Sequence, residues 1–182
     1  MSQNNYNIKI IESLLKSENH IRGLAKSLKT NQTTIARKVL ELCQNNVVDF
    51  RQEGKNKVVV LKKSLEAKQY AYNVETQKLL EILKRYPILR RIIELIRKNE
   101  KITLAILFGS YAKGIAKKES DIDIYIDTTD NKVKEEIELI DSRISVKIGE
   151  YNKESLLIKE IEKNHAIIKG IELYYEKNKF FD

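Results

Sequence analysis

Residues Ile106–Ile126 read ILFGSYAKGIAKKESDIDIYI. An apolar run stops at Gly109-Ser110, a lysine-rich turn follows, and the chain resumes with Asp121 and Asp123 alternating with isoleucines. The run from Ile102 to Phe108 is almost continuously apolar, which predicts a strand covered on both faces. Glycine at 109 lets the backbone turn sharply and approach a ligand closely. The stretch YAKGIAKK is expected to be a short helix or turn. Amides at its N-terminal end, with the Ser110 hydroxyl, would suit a phosphate. Lys113, Lys117 and Lys118 add positive charge nearby.

SDIDIYID predicts a second strand. Its period-2 alternation sends Ile122, Ile124 and Ile126 to one face and Asp121, Asp123, Tyr125 and Asp127 to the other. Asp121 and Asp123 then stand about 6–7 Å apart along the strand. Two carboxylates held that close repel unless something offsets them. A divalent cation shared with the phosphates of a nucleotide is the economical answer, because Mg²⁺ takes one or two carboxylates plus substrate oxygens.

The segment GSYAKGIAKKESDIDIYI resembles the GSxxxGxxxxxSDxDxxI signature of the DNA polymerase beta-like nucleotidyltransferases, especially the minimal ones of bacteria and archaea. The match rests on Gly109, Ser110, Gly114, Ser120, Asp121 and Asp123. The resemblance implies a mixed sheet flanked by helices and transfer of a nucleoside monophosphate from a nucleoside triphosphate. It implies that Gly109, Ser110, Lys113 and Ser120 bind the phosphates, and that Asp121 and Asp123 are the catalytic pair and hold Mg²⁺ (or Mn²⁺). Such transfer depends mainly on positioning and charge stabilisation, commonly with two metals about 3.5–4 Å apart.

Active members of that family usually carry a third carboxylate on a following strand. Here that strand is expected in RISVKIGEY, with Ile144, Val146 and Ile148 on its apolar face and Ser145, Lys147 and Gly149 on the other. Ser145 falls where the third carboxylate is expected, and Lys147 would disfavour a second cation. Asp127, Asp141 and Glu150 are the substitutes within reach in the sequence. Lys113 also stands where many minimal transferases carry Arg, which weakens bidentate phosphate binding.

Outward from this stretch the charge changes. Residues 1–63 hold 12 Lys/Arg against 5 Asp/Glu, whereas residues 101–182 hold 14 against 16, within a net charge of +8. Two parts with different electrostatics suggest two tasks. Residues 6–17 place Ile8, Ile11, Leu14 and Leu15 at helical spacing, and Ile21, Leu24, Ala25 and Leu28 form a second apolar face. Thr30 or Asn31 is the expected N-cap of a third helix. That helix turns Ile35, Val39 and Leu42 inward and Thr33, Thr34, Arg37 and Lys38 outward. VVDFRQEGKNKVVVLKK then reads as two strands around a turn at Gly54.

Three helices followed by a β-hairpin resemble the winged helix-turn-helix of bacterial and archaeal transcription regulators. A recognition helix needs a polar, basic outer face near its N-terminus, which Thr33, Thr34, Arg37 and Lys38 would supply to double-stranded DNA. Arg51, Lys55 and Lys57 on the hairpin would contact flanking phosphates. The alternatives are a helical domain whose lysines serve solubility, and a protein-interaction module.

Residues 64–99 show helical patterning, with Leu65, Tyr72, Leu79 and Leu83 near heptad spacing and Pro87 expected in the first turn of a further helix. Tyr70, Tyr72 and Leu79 could form the seam of a homodimer, which would suit a palindromic DNA site; packing within the chain is the alternative.

The 182 residues are 42% hydrophobic and 33% charged, with 1 Pro and 6 Gly, which excludes a disordered or fibrous chain. No apolar run reaches the roughly 18 residues of a membrane span. The N-terminal MSQNNYNIKI lacks the features of a signal peptide. The single Cys43 excludes an internal disulfide and a Cys-rich zinc site, so a cytoplasmic protein is expected. In EKNHAIIKGIELYYE, Ile161, Ile168 and Leu173 read as an apolar helix face and His165 as a helix-boundary histidine, with a metal role as the alternative; Tyr174, Tyr175, Phe180 and Phe181 are read as packing against the sheet or a partner, with base stacking as the alternative.

The expected organisation is a two-domain protein. A winged helix of three helices plus a β-hairpin spans 1–63, and a helical connector spans 64–99. An α/β nucleotidyltransferase fold with a mixed sheet spans 100–182. The leading function is a DNA-binding protein whose second domain binds a nucleoside triphosphate with Mg²⁺ and transfers a nucleoside monophosphate to an acceptor. A non-enzymatic transcription regulator with a degenerate transferase domain is the alternative, and an antitoxin-like transferase that modifies a partner protein is a third.

Overall fold

The computed structural model describes residues 4–54 and 56–182. It contains two compact units: residues up to Val74 together with Phe180–Asp182, and Glu75–Lys179. Among the described residues, no helix is long and apolar enough to cross a membrane.

In the first unit, α1 (Asn4–Lys16), α2 (Ile21–Ser27) and α3 (Gln32–Gln44) precede an antiparallel hairpin of β1 (Val48–Glu53) and β2 (Asn56–Leu61). Helical periodicity makes the core. Ile10, Ile11 and Leu14 of α1, Leu24 of α2 and Ile35, Val39 and Leu42 of α3 are buried together with Val48 and Val59 of the hairpin. Each such side chain contributes about 1.5–3 kcal/mol on burial. Asn31 is the N-cap of α3: its side-chain oxygen accepts the Thr34 amide at 2.7 Å. This satisfies one of the free donors of the first turn.

One residue of α3 departs from expectation. Lys38 is not outward but buried at 4% exposure, and its ammonium donates to Glu41 at 2.7 Å. Position 38 lies three residues after Ile35 and four before Leu42, so the helix places it on the inward stripe whatever its charge. Glu41 also accepts from Asn7 of α1 at 2.8 Å, and these bonds, that of Lys38 first, hold the Glu41 carboxyl below its usual range.

α4 (Leu65–Arg85) is a single helix of 21 residues. Ala67 and Val74 belong to the first core and Leu79 and Ile82 to the second. The Leu65–Tyr72–Leu79–Leu83 stripe is not uniform: Leu65 is exposed, while Leu79 is buried within its own chain. Pro87 lies outside the next helix, α5 (Leu89–Lys98). It sits in a turn closed by the Leu89 amide on Tyr86 O and the Arg90 amide on Pro87 O, both at 3.1 Å. Its fixed φ therefore serves the link between α4 and α5 rather than a first helical turn.

The second unit continues through β3 (Ala105–Leu107), α6 (Gly109–Ala112), β4 (Ile122–Asp127), α7 (Asn131–Glu138), β5 (Ile144–Gly149), α8 (Leu156–Lys163), β6 (Ala166–Lys169) and α9 (Ile171–Lys177). The sheet order is β5-β4-β3-β6; β4 and β5 are parallel, and β3 is antiparallel to both β4 and β6. This is a mixed α/β sheet. Ile122, Ile124, Ile126, Ile144 and Val146 of the sheet share one core with Ile92, Ile93 and Ile96 of α5 and Val133 and Ile137 of α7. The alternation that buries those isoleucines leaves Asp123, Tyr125 and Asp127 for the opposite face.

Two elements differ from the sequence reading. The apolar run Ile102–Phe108 pairs as a strand only over Ala105–Leu107, although Ile102 and Leu104 are also buried. EKNHAIIKGIELYYE is not one helix: it contains the end of α8, strand β6 and α9. A short apolar run such as AIIK fits either period, and pairing with β3 decides it. The Arg97 guanidinium donates to Ile168 O at 2.9 Å, and Lys169 donates to Asn99 O at 2.8 Å, tying β6 to α5 and its end.

Candidate active site

The site forms where β3 and β4 meet. Leu107 pairs with Ile124, and the Phe108 amide donates to Asp123 O at 3.0 Å, so the ladder extends one residue beyond β3. The chain then turns at Gly109, whose φ of +68° is a left-handed value that L side chains rarely adopt. The turn brings the backbone against Asp123. A Cβ at position 109 would lie 2.1 Å from Asp123 Oδ2 and 3.2 Å from Asp123 Cβ. Glycine is therefore required twice, by conformation and by the neighbouring carboxylate.

Ser110 is the second residue of α6, which is one turn long. So short a helix has little macrodipole, and any phosphate affinity would come from the local amides, Ser110 and nearby cations. The loop after α6 closes on itself. The Ile115 amide donates to Ser110 O at 3.1 Å, the Ser120 amide to Lys117 O at 3.1 Å, and the Lys117 amide to Ser120 Oγ at 2.9 Å. Ser120 is thus committed to shaping the loop. Lys113 is exposed, with its ammonium 3.9 Å from Glu160 of α8.

Asp121 is exposed immediately before β4, and Asp123 is half-buried within it. Burial raises the pKa of the Asp123 carboxyl, Asp121 raises it further, and Lys147 and Lys113 act in the opposite direction. The carboxylate is therefore disfavoured as it stands, and added positive charge at the pair would stabilise it. The donor set fits a hard divalent cation completed by ligand oxygens. Among the described residues, His, Cys, Asp and Glu form no metal-holding group of three or more.

Ser145 of β5 stands directly opposite Asp123 in the parallel pairing, and Lys147 stands opposite Tyr125. Ile144 and Val146 are buried, as the alternation in RISVKIG predicts. Two of the substitute carboxylates are already engaged. Asp127 accepts the Tyr151 amide at 2.9 Å and pairs with Lys177 at 2.9 Å. Asp141 takes the Arg143 guanidinium at 2.7 and 3.0 Å, which holds its carboxyl down at about 2. Glu150 is exposed just after β5.

Sequence reasoning missed Arg85 and Tyr86. The Arg85 guanidinium donates to Gly114 O at 2.8 Å, and the Ala116 amide donates to the Tyr86 hydroxyl at 3.1 Å. Their only sequence signal is a position at the end of a long helix, just before Pro87.

In the other unit, Thr33 and Arg37 are exposed and Thr34 is half-buried, with its amide committed to the Asn31 cap. Lys38 is turned away from them, as described above. Arg51 donates to both carboxylate oxygens of Glu18 through its two terminal guanidinium nitrogens. Lys57 is exposed, and its carbonyl meets His20 Nδ1 at 3.1 Å. Lys55 lies outside the described residues.

The residues set aside earlier divide: Phe180 is exposed and Phe181 half-buried. Tyr174 and Tyr175 are buried; the Tyr174 hydroxyl donates to Glu162 at 2.8 Å, and Tyr151 donates to the same carboxylate. His165, between α8 and β6, contacts the Tyr174 ring with centroids 5.1 Å apart.

No curated protein and no solved structure matches the chain. The family model described as Polymerase beta, Nucleotidyltransferase matches residues 90–179. This span takes in all of α5 but Leu89, the whole mixed sheet, the Gly109-Ser110 turn and both aspartates, and the match supports a nucleotidyltransferase-fold domain over residues 90–179.

Proposed function

We propose that the second unit binds a nucleoside triphosphate with a divalent cation and transfers its nucleoside monophosphate to an acceptor. The observation that carries this reading is the contact of Gly109 with Asp123, which puts the phosphate turn beside a carboxylate that Asp121 and burial both destabilise. Asp121 and Asp123 would hold Mg²⁺ or Mn²⁺, which supplies charge neutralisation to the triphosphate. Gly109, Ser110 and Lys113 would face the phosphates, and Ser120 would shape the loop between turn and strand. In-line transfer asks the protein mainly for such positioning.

A second reading is favoured by β5: with Ser145 opposite Asp123 and Lys147 two residues on, the unit would bind nucleotide without transferring it and act as a regulator. The first unit, three helices and a hairpin, is proposed to be a winged helix that contacts double-stranded DNA through Thr33, Thr34, Arg37, Arg51 and Lys57. Lys38 is excluded by its burial.

Incubation with labelled ATP, CTP, GTP or UTP, Mg²⁺ or Mn²⁺ and candidate acceptors tests the transferase. Label transfer that vanishes in Asp121→Ala supports it. Cation-dependent nucleotide binding without transfer leaves the regulator, and absence of nucleotide binding removes both readings of the second unit.

A further inference from the structure

The loop from Lys113 to Ser120 joins the phosphate turn to the aspartate strand. Its own backbone bonds close its two ends but leave Gly114 O, the Ala116 amide and Lys118 O facing outward to other elements. Each is met from outside. Arg85 donates to Gly114 O at 2.8 Å, Tyr86 accepts from the Ala116 amide at 3.1 Å, and Arg143 donates to Lys118 O at 3.1 Å.

None of the three is a casual contact. Gly114 has φ +71°, and a Cβ there would lie 2.3 Å from Arg85 Nη1, so the guanidinium occupies the space that a side chain at 114 would need. The Tyr86 ring meets Tyr111 of α6 edge to face, with centroids 4.9 Å apart, so one side chain touches both the turn and the loop. Arg143 is fixed in place by both oxygens of Asp141.

We propose that Arg85 and Tyr86, at the end of α4, are positioning residues of the nucleotide site, with Arg143 as the opposite jaw of the same clamp. They touch neither phosphate nor cation. They hold the loop so that the Gly109-Ser110 turn and the Asp121–Asp123 pair face one ligand. A free loop of this length would otherwise lose conformational entropy on binding nucleotide. The proposal rests on the nucleotide-binding reading given above.

The test uses the full-length chain and Tyr86→Phe, which removes the hydroxyl while keeping the ring on Tyr111, with Arg85→Ala and the conservative Arg85→Lys beside it. Hydrogen exchange of the nucleotide-free protein should show Ala116 exchanging about threefold to tenfold faster in Tyr86→Phe, the loss of one hydrogen bond. Affinity for ATP with Mg²⁺ should fall by a similar factor while the protein still unfolds in one cooperative transition, and Arg85→Lys should recover part of what Arg85→Ala loses. Unchanged exchange at Ala116 overturns the clamp. Faster exchange with undiminished ATP affinity overturns its positioning role and leaves the nucleotide-binding reading intact. Failure of the wild-type chain to bind ATP with Mg²⁺ overturns that reading and this one together.

Discussion

Gly109→Ala is expected to be among the most damaging single-methyl changes in the second unit, and its cost divides into two parts that can be measured separately. Holding alanine at φ +68° costs about 1–2 kcal/mol. The new Cβ would also stand 2.1 Å from Asp123 Oδ2 and 2.9 Å from its Cγ, so the carboxylate must leave its rotamer. Overpacking of that kind costs about 1–3 kcal/mol. The total is about 2–5 kcal/mol. In an Asp123→Ala background the carboxylate is gone, the closest remaining contact with residue 123 is its Cβ at 3.2 Å, and only the conformational part should persist. A double-mutant cycle isolates the difference. Urea unfolding of the wild type, the two single variants and the double variant, followed by circular dichroism, should give a coupling of about 1–3 kcal/mol. Additivity within about 0.5 kcal/mol would refute the contact between turn and aspartate.

Asp123→Asn should raise the melting temperature of metal-free protein at pH 7. Burial and Asp121 raise the pKa of the Asp123 carboxyl in the folded chain, so its ionisation above the ordinary carboxylate range opposes folding; an unchanged or lower melting temperature would contradict this. Lys38→Ala should destabilise the first unit by about 1–3 kcal/mol, through lost packing and the bond to Glu41. Arg37→Ala should leave stability unchanged and weaken duplex DNA binding at low salt, as gel shifts and thermal melts would read. Asp141 should titrate near 2 by NMR and move back towards the ordinary carboxylate range in Arg143→Ala. Its contribution to stability is complete above the unfolded carboxylate pKa and is lost as pH falls through about 2.

The sequence made the site easier to read than the surroundings that shape it. Asp121, Asp123, Gly109 and Ser110 lie within fifteen residues of one another, and period-2 alternation alone puts Asp123 on the face opposite the buried isoleucines. The faces of RISVKIG were likewise legible, since alternation alone turns Ile144 and Val146 inward, whereas the pairing of Ser145 with Asp123 is set by the sheet, because a slip of two residues would keep the same faces. Lys38 was misread because charge was taken as a sign of exposure, whereas its spacing from Ile35 and Leu42 sets its direction. β6 was hidden because four apolar residues between two helices carry no distinctive period. Arg85 and Tyr86 could not have been found by local pattern: Gly114 and Ala116, the residues they hold, lie about thirty positions further along the chain. Asp127 and Asp141 looked available in the sequence because their partners Lys177, Tyr151 and Arg143 are identified only by the fold.

If Asp121, Asp123 and the Gly109-Ser110 turn form a cation-dependent nucleotide site, triphosphate binding must depend on both the cation and Asp123. Titration calorimetry of the full chain with ATP, GTP, CTP and UTP, each with Mg²⁺ and again with EDTA, tests it most directly, with Asp123→Asn as the matched variant. At least one triphosphate should bind with Mg²⁺, lose that binding in EDTA, and lose it in Asp123→Asn although that variant stays folded. Triphosphate binding of equal strength with and without Mg²⁺, or retained in full by Asp123→Asn, would contradict it.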